Sequence, residues 1–173
     1  MNLIVTSSRH LESEAAEEIF EFLNEFGDSN PAVKISELSG ILTATTSLDP
    51  FLVVKKLRER ILDEPWLIRY CHRVIPLHDA VKTKKDDIVK SVLSHVSKFL
   101  QQETYRITVE KRHSEISTSE IISEIADKIQ NKVSLEKFDW LILIEILGKM
   151  TGIAVLKESD VLSTQKLKRS LSE

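Results

Sequence analysis

The apolar positions of the first 76 residues switch between the spacing of a helix and that of a strand. Apolar residues recur on one face over 11–26, and this predicts a helix whose opposite face is rich in glutamate. Asp49 and Pro50 suit the N-cap and the first position of a second helix. Four β-prone segments surround the helices, at 3–6, 33–36, 41–46 and 67–75. The order β-α-β-β-α-β predicts a ferredoxin-like fold for residues 1–78.

The second half of the chain predicts another mixed domain. A polar stretch at 76–83 is interpreted as the domain boundary. The pattern beyond it predicts a helix over 85–101, a strand over 104–110, a capped helix beginning at Ser117, a central strand over 140–147, a turn at 148–152 and a last strand over 153–156. The fold class is therefore α+β, with domains at 1–78 and 79–162 and a mobile tail at 163–173.

The net charge is unevenly distributed along the chain. The total is −3, but residues 1–68 carry −6, residues 69–113 carry +5 and residues 114–173 carry −2. Because a phosphate backbone responds to the local field, the central excess predicts an anionic partner. The candidate RNA-binding residues are Arg69, Arg73, Lys82, Lys84, Lys85, Lys111, Arg112 and His113. Arg69 and Arg73 are four residues apart on a predicted strand, so we expect both on one face.

Other chemistries have little support in the sequence. The four glycines are too scattered for a phosphate-cradling loop, and no pair of His or Cys residues has the spacing of metal ligands. The single cysteine, Cys71, cannot form an internal disulfide, which favours a reducing, cytoplasmic location. No apolar run approaches the length of a membrane span. We therefore expect no metal, no cofactor, no membrane contact and no catalytic residue.

Several segments together resemble the THUMP domain, an RNA-binding module of tRNA-modifying proteins. They are 105–113, 120–129, 133–135, 138–146, 152–156 and 160–162. The pair Asp139-Trp140 and the strand end Lys111-Arg112-His113 look most like THUMP proteins that serve as tRNA-binding adaptors in N4-acetylcytidine formation. The N-terminal half is similar to the ferredoxin-like domain that precedes THUMP.

The resemblance implies a non-catalytic adaptor for tRNA modification. THUMP would hold the acceptor end of tRNA, and a separate RNA cytidine acetyltransferase would be the partner that performs the chemistry. Because only a short tail follows residue 162, we expect no fused catalytic domain. Two alternatives remain open: a small stand-alone RNA-acting enzyme with His113 or His72 as its acid or base, and a protein-interaction module that docks through the acidic first helix.

Overall fold

The chain folds into two compact units. The computed structural model describes all residues, Met1–Glu173. The N-terminal unit contains Met1–Leu77 together with Ser159–Glu173, and the central unit contains His78–Glu158. Helices and two separate sheets are combined, which confirms the α+β class. None of the helices is both long and apolar enough to cross a lipid bilayer.

The regular elements occur in the following order along the chain. They are β1 (Leu3–Thr6), α1 (Glu12–Glu25), β2 (Ala32–Ile35), β3 (Ile41–Thr45), α2 (Pro50–Asp63), β4 (Arg73–Pro76), β5 (Asp79–Lys82), α3 (Lys85–Leu93), β6 (Tyr105–Arg112), α4 (Thr118–Lys128), β7 (Trp140–Leu147), β8 (Met150–Leu156), β9 (Leu162–Ser163) and α5 (Thr164–Leu171).

The N-terminal unit is built on a five-stranded antiparallel sheet with the order β2-β3-β1-β4-β9. The apolar stripes of α1 and α2 pack on one face of this sheet, where Ile19 and Leu57 are fully buried against Val5. The side chain of Asp49 accepts a hydrogen bond from the N–H of Phe51 at 2.9 Å, so the predicted cap of α2 is confirmed. The order β4-β1-β3-β2 is that of a ferredoxin-like sheet.

The segment before β4 is not the strand that the sequence predicts. A short 3₁₀ helix occupies Pro65–Leu67, and the strand begins only at Arg73. The carboxylate of Glu18 instead accepts hydrogen bonds from the N–H groups of Arg69, Tyr70 and Cys71 at 2.6–3.1 Å. These groups are therefore not available for pairing in a sheet. Arg69 lies outside the strand, so the inference that Arg69 and Arg73 share a strand face is wrong.

The C-terminal segment is ordered into β9 and α5, whereas the sequence predicts a mobile tail. Leu162 pairs with Val74, and the hydroxyl of Thr164 donates to the carbonyl of Cys71 at 2.8 Å. The ammonium of Lys168 donates to the carbonyl of Ile68. Backbone pairing, polar contacts and the packing of Leu162 and Leu167 on the core of the N-terminal unit hold this segment. An analysis of apolar periodicity does not detect such contacts.

The central unit contains a four-stranded sheet with the order β5-β8-β7-β6, in which only β6 and β7 are parallel neighbours. Helices α3 and α4 cover one face of this sheet, and Ile88, Ile121 and Ile144 are fully buried between the layers. Ser117 caps α4 by accepting from the N–H of Glu120, as the sequence predicts.

Two elements of the central unit differ from the prediction. The polar stretch interpreted as a boundary contains β5, which pairs with β8. Helix α3 ends at Leu93 rather than near residue 101. The carboxylate of Asp79 on β5 contacts the hydroxyl of Ser91 and Nε2 of His95, both at 2.7 Å. These contacts bind the end of α3 to the edge strand.

Candidate nucleic-acid interface

The basic residues of the central unit converge at one end of its sheet. In the strand register, Lys82 pairs with Met150, Met150 with Leu147 and Leu147 with Arg112, so these four residues form the last row across the sheet. With strands about 4.8 Å apart, the row is about 15 Å wide. We refer to this row, to Lys111 in the row before it, and to the segments directly beyond it, 83–85, 113–116 and 148–149, as the basic edge.

Backbone contacts hold the loops of the basic edge in place. The N–H of Thr83 donates to the carbonyl of Lys149 at 2.9 Å, and the hydroxyls of Thr83 and Thr151 are 2.8 Å apart. The N–H of Gly148 donates to the carbonyl of Arg112 at 2.9 Å. The turn between β7 and β8 therefore lies between the ends of β5 and β6. Lys149 is brought beside residues that are more than 30 positions away in the chain.

The cations of the basic edge differ in how far their charge is balanced. Lys82, Lys84 and Lys149 form no salt bridge or side-chain hydrogen bond within the chain, and all three are exposed. The ammonium of Lys111 donates to the carbonyl of Ile116 at 3.1 Å, which leaves its charge uncompensated. Lys85 lies 3.5 Å from the carboxylate of Glu124. Four lysines therefore provide most of the free positive charge.

Arg112 has a structural partner. Its guanidinium lies 2.8 Å from the carboxylate of Glu145, whose side chain is only 1% exposed. A buried carboxylate requires a compensating cation, so the charge of Arg112 is balanced inside the fold. We therefore expect Arg112 to contribute less to phosphate binding than its position in the sequence suggests.

His113 follows Arg112 in an uncommon backbone conformation. Its φ angle is +52°, in the left-handed region, and its side chain is exposed. This conformation ends β6 abruptly and turns the chain away from the sheet. The imidazole is thus displayed at the basic edge, where it can stack on a base or donate a hydrogen bond.

The remaining sequence candidates lie in the N-terminal unit. Arg69 is exposed in the loop that Glu18 holds, and Arg73 begins β4. The structure therefore brings six of the eight candidates together and places these two in the other unit. Lys149 was missed, because the sequence alone does not show that the β7–β8 turn lies between two basic strand ends.

The single thiol of the chain does not lie at the basic edge. Cys71 is buried in the N-terminal unit, where burial and the nearby Glu18 carboxylate raise the pKa of its thiol. A thiol with a raised pKa is a poor nucleophile. No group of three or more His, Cys, Asp or Glu side chains in the chain has the arrangement of a metal site.

Comparison with known proteins supports the identity of the central unit. The family model of the THUMP domain matches residues 82–156, which include the basic edge. No curated protein matches the chain in sequence.

Solved structures share the fold at low sequence identity. PH1313 from Pyrococcus horikoshii aligns with a TM-score of 0.69 and 15% identity over 94% of this chain and 55% of that protein. TrmN from Thermus thermophilus aligns with a TM-score of 0.58 and 8% identity over 90% of this chain and 45% of TrmN. A 4-thiouridine synthetase, in a complex with RNA and ATP, aligns with a TM-score of 0.53 and 12% identity over 94% of this chain and 42% of that enzyme.

These alignments define what the likeness covers. The chain spans about half the length of the solved proteins that it matches, and at these identities the likeness concerns the fold alone. The family model is specific to the central unit. Residues 82–156 of this chain are therefore a THUMP domain.

Proposed function

We propose that this protein binds tRNA through the basic edge of its THUMP domain and presents it to a separate modification enzyme. The observation that carries the proposal is the convergence of Lys82, Lys84, Lys111 and Lys149, with His113, at one end of the sheet. Phosphate neutralisation by such a group releases counterions and supplies binding energy without reading the base sequence. The row is wide enough to contact several phosphates.

Three observations favour tRNA over other anions. A THUMP domain points to RNA binding and tRNA modification. One protein with a similar fold is a 4-thiouridine synthetase whose structure contains RNA. The imidazole of His113 beside the lysines adds a group that can contact an unpaired base.

The proposal also includes a non-catalytic adaptor role and a specific class of partner enzyme. The only thiol is buried with a raised pKa, and the basic edge displays cations rather than an activated nucleophile. The strand end 111–113 and the pair Asp139-Trp140 resemble the adaptors of N4-acetylcytidine formation, so the partner that we propose is an RNA cytidine acetyltransferase. The acceptor end of tRNA is the part that THUMP would hold.

We expect the double substitution Lys111→Ala, Lys149→Ala to weaken binding of whole tRNA. If the protein contacts about four phosphates, the logarithm of its affinity falls with the logarithm of salt concentration with a slope of roughly −3. Loss of two contacts should lower affinity by about tenfold or more and flatten the slope by about 1.5. The measurement is fluorescence anisotropy with labelled tRNA over a range of salt concentrations.

The matched control removes the same charge from positions outside the basic edge. Lys137 precedes β7 and Lys166 lies on α5, and both are exposed and without a salt bridge, so Lys137→Ala, Lys166→Ala leaves the basic edge intact. We expect this variant to bind tRNA nearly as tightly as the unsubstituted protein. Equal losses in the two variants, or a slope near zero in the unsubstituted protein, would rule out the basic edge as the binding site.

Incubation of the purified protein with tRNA and acetyl-CoA separates the adaptor role from catalysis. We expect no acetylated cytidine from the protein alone, and increased product when it is added to an RNA cytidine acetyltransferase. The measurement is mass spectrometry of digested tRNA. Product without the second enzyme would show that the chain is itself an enzyme, and no stimulation would contradict the proposed partner.

A further inference from the structure

The THUMP domain contains a second concave site, at the opposite end of its sheet from the basic edge. A cavity of about 600 Å³ lies beside the start of β6 and the end of α4. It is lined by Phe99, Gln101, Gln102, Glu103, Gln130, Asn131 and Lys132. Because β6 has eight residues, the two sites are about 24 Å apart along the strand. The charge of the basic edge does not account for this cavity.

The walls of the cavity are held by internal hydrogen bonds. The amide of Asn131 donates to the carbonyls of Leu100 at 2.7 Å and Glu103 at 2.9 Å, which joins loops 100–103 and 130–132. The carboxylate of Glu103 accepts from the N–H of Leu100 at 2.8 Å and from the indole N–H of Trp140 at 3.1 Å. The ring of Phe99 stacks on that of Trp140 with centroids 5.3 Å apart. The cavity is therefore preformed.

Four side chains that line the cavity are available to bind a ligand, and they are of two chemical kinds. Gln101, Gln102 and Gln130 are exposed carboxamides without a hydrogen-bond partner in the chain, and Lys132 is an exposed ammonium without a salt bridge. Each carboxamide both donates and accepts, so a group of three can match the polar edge of a heterocycle. Phe99 offers an apolar wall for its faces, and the ammonium suits a phosphate.

Two exposed apolar residues are adjacent in sequence to residues that line the cavity. Leu100 is 58% exposed and Val133 is 52% exposed. Large exposed apolar residues that gather around a concave, partly polar site are typical of a ligand-binding surface. They also resemble the contacts that unpaired bases make with proteins, where stacking accompanies hydrogen bonds.

We propose that this cavity binds a single unpaired nucleotide, with its base edge against the glutamines and its phosphate at Lys132. The site is separate from the basic edge, so its existence does not require the proposed adaptor function. The nucleotide can come from single-stranded RNA or from the free mononucleotide pool.

Amide NMR of the whole protein tests the cavity directly. Titration with AMP, CMP, GMP and UMP, and separately with an unstructured RNA tetranucleotide, should shift the side-chain amide resonances of Gln101, Gln102 and Gln130 and the indole resonance of Trp140. The variant Gln102→Ala, Gln130→Ala removes two partnerless carboxamides. Because two hydrogen-bonding groups for the base edge are lost, we expect it to bind about tenfold more weakly. Gln165→Ala, in exposed α5, is the matched control and should bind normally.

The two ligands distinguish the source of the nucleotide. Tighter binding of the tetranucleotide than of any mononucleotide assigns the cavity to RNA, and the reverse assigns it to free nucleotides. Absence of shifts in the cavity at millimolar ligand, or binding that Gln102→Ala, Gln130→Ala leaves unchanged, would overturn the proposal.

A further variant separates this proposal from the basic edge. Lys111→Ala, Lys149→Ala should leave mononucleotide binding unchanged even where it weakens binding of tRNA. Shifts confined to the basic edge would refute the cavity and leave the proposed function standing. Shifts in the cavity, combined with unchanged tRNA binding by Lys111→Ala, Lys149→Ala, would support the cavity and contradict the proposed role of the basic edge.

Discussion

Replacement of Glu18 by alanine is expected to destabilise the protein by about 3–4 kcal/mol. The carboxylate is almost fully buried and accepts hydrogen bonds from three successive N–H groups, those of Arg69, Tyr70 and Cys71. A hydrogen bond to a charged group contributes about 1.5–3 kcal/mol, and the contributions of three bonds to one carboxylate are not additive. Water can replace the acceptor at the exposed Arg69, whereas the N–H of Cys71 is buried and would be left without one. Urea denaturation followed by circular dichroism measures the loss.

Glu17 provides the matched control on the same helix. Its side chain is exposed, and Glu17→Ala should change the free energy of unfolding by no more than about 0.5 kcal/mol. Hydrogen exchange tests the mechanism, because Glu18→Ala should selectively increase exchange at residues 69–71. If Glu18→Ala is no more destabilising than Glu17→Ala, the carboxylate does not organise this loop.

Replacement of Arg112 by alanine is expected to destabilise the central unit by about 3 kcal/mol. The substitution removes the guanidinium that lies 2.8 Å from the buried Glu145 carboxylate. Removal of one partner of a buried ion pair leaves a charge in a medium of low polarity, which typically costs about 3–5 kcal/mol. Because the side chain of Arg112 is 28% exposed, water can relieve part of this cost.

The fluorescence of Trp140 reports this change locally. Trp140 begins β7, the strand that carries Glu145, and Trp66 is 61% exposed in the N-terminal unit. In a Trp66→Phe background, urea denaturation therefore follows the central unit. Lys111→Ala is the control, since it removes a neighbouring exposed cation and should cost less than about 1 kcal/mol. Equal effects of the two substitutions would show that the ion pair is not structural.

Arg112 is paired with a buried carboxylate and Lys111 is not, and this difference affects how RNA-binding experiments are designed. Substitution of Arg112 combines a loss of stability with any loss of binding, so a weaker complex would be ambiguous. Lys111 and Lys149 lack buried partners and are therefore the appropriate residues to substitute at the basic edge. The structure thus changes which of two adjacent basic residues tests the function.

Local physical chemistry explains the parts of the fold that the sequence predicts. The stripes of α1 and α2, the cap at Asp49 and the cap at Ser117 depend on residues within a few positions of one another. The alternation over 104–110 likewise predicts β6, which extends two residues further to Arg112. The α+β class follows from these elements and their order.

The differences from the prediction all involve contacts that are distant in sequence. Segment 68–72 alternates like a strand, but Glu18, about 50 positions earlier, binds its N–H groups. Helix α3 stops early beside the contacts of Asp79 with Ser91 and His95. The segment 163–173 shows no clear apolar stripe and is predicted to be mobile, yet Ser163 pairs with β4 and α5 follows it.

The sequence by itself determined the α+β class, the order of the first six elements and the excess of positive charge in the middle of the chain, because periodicity, capping and charge are properties of neighbouring residues. Only the tertiary structure decided which cations share a surface. Strand register brings Lys82, Lys111 and Lys149 to one end of a sheet, and burial of Glu145 engages Arg112. Register and burial depend on long-range pairing, which a linear pattern does not contain.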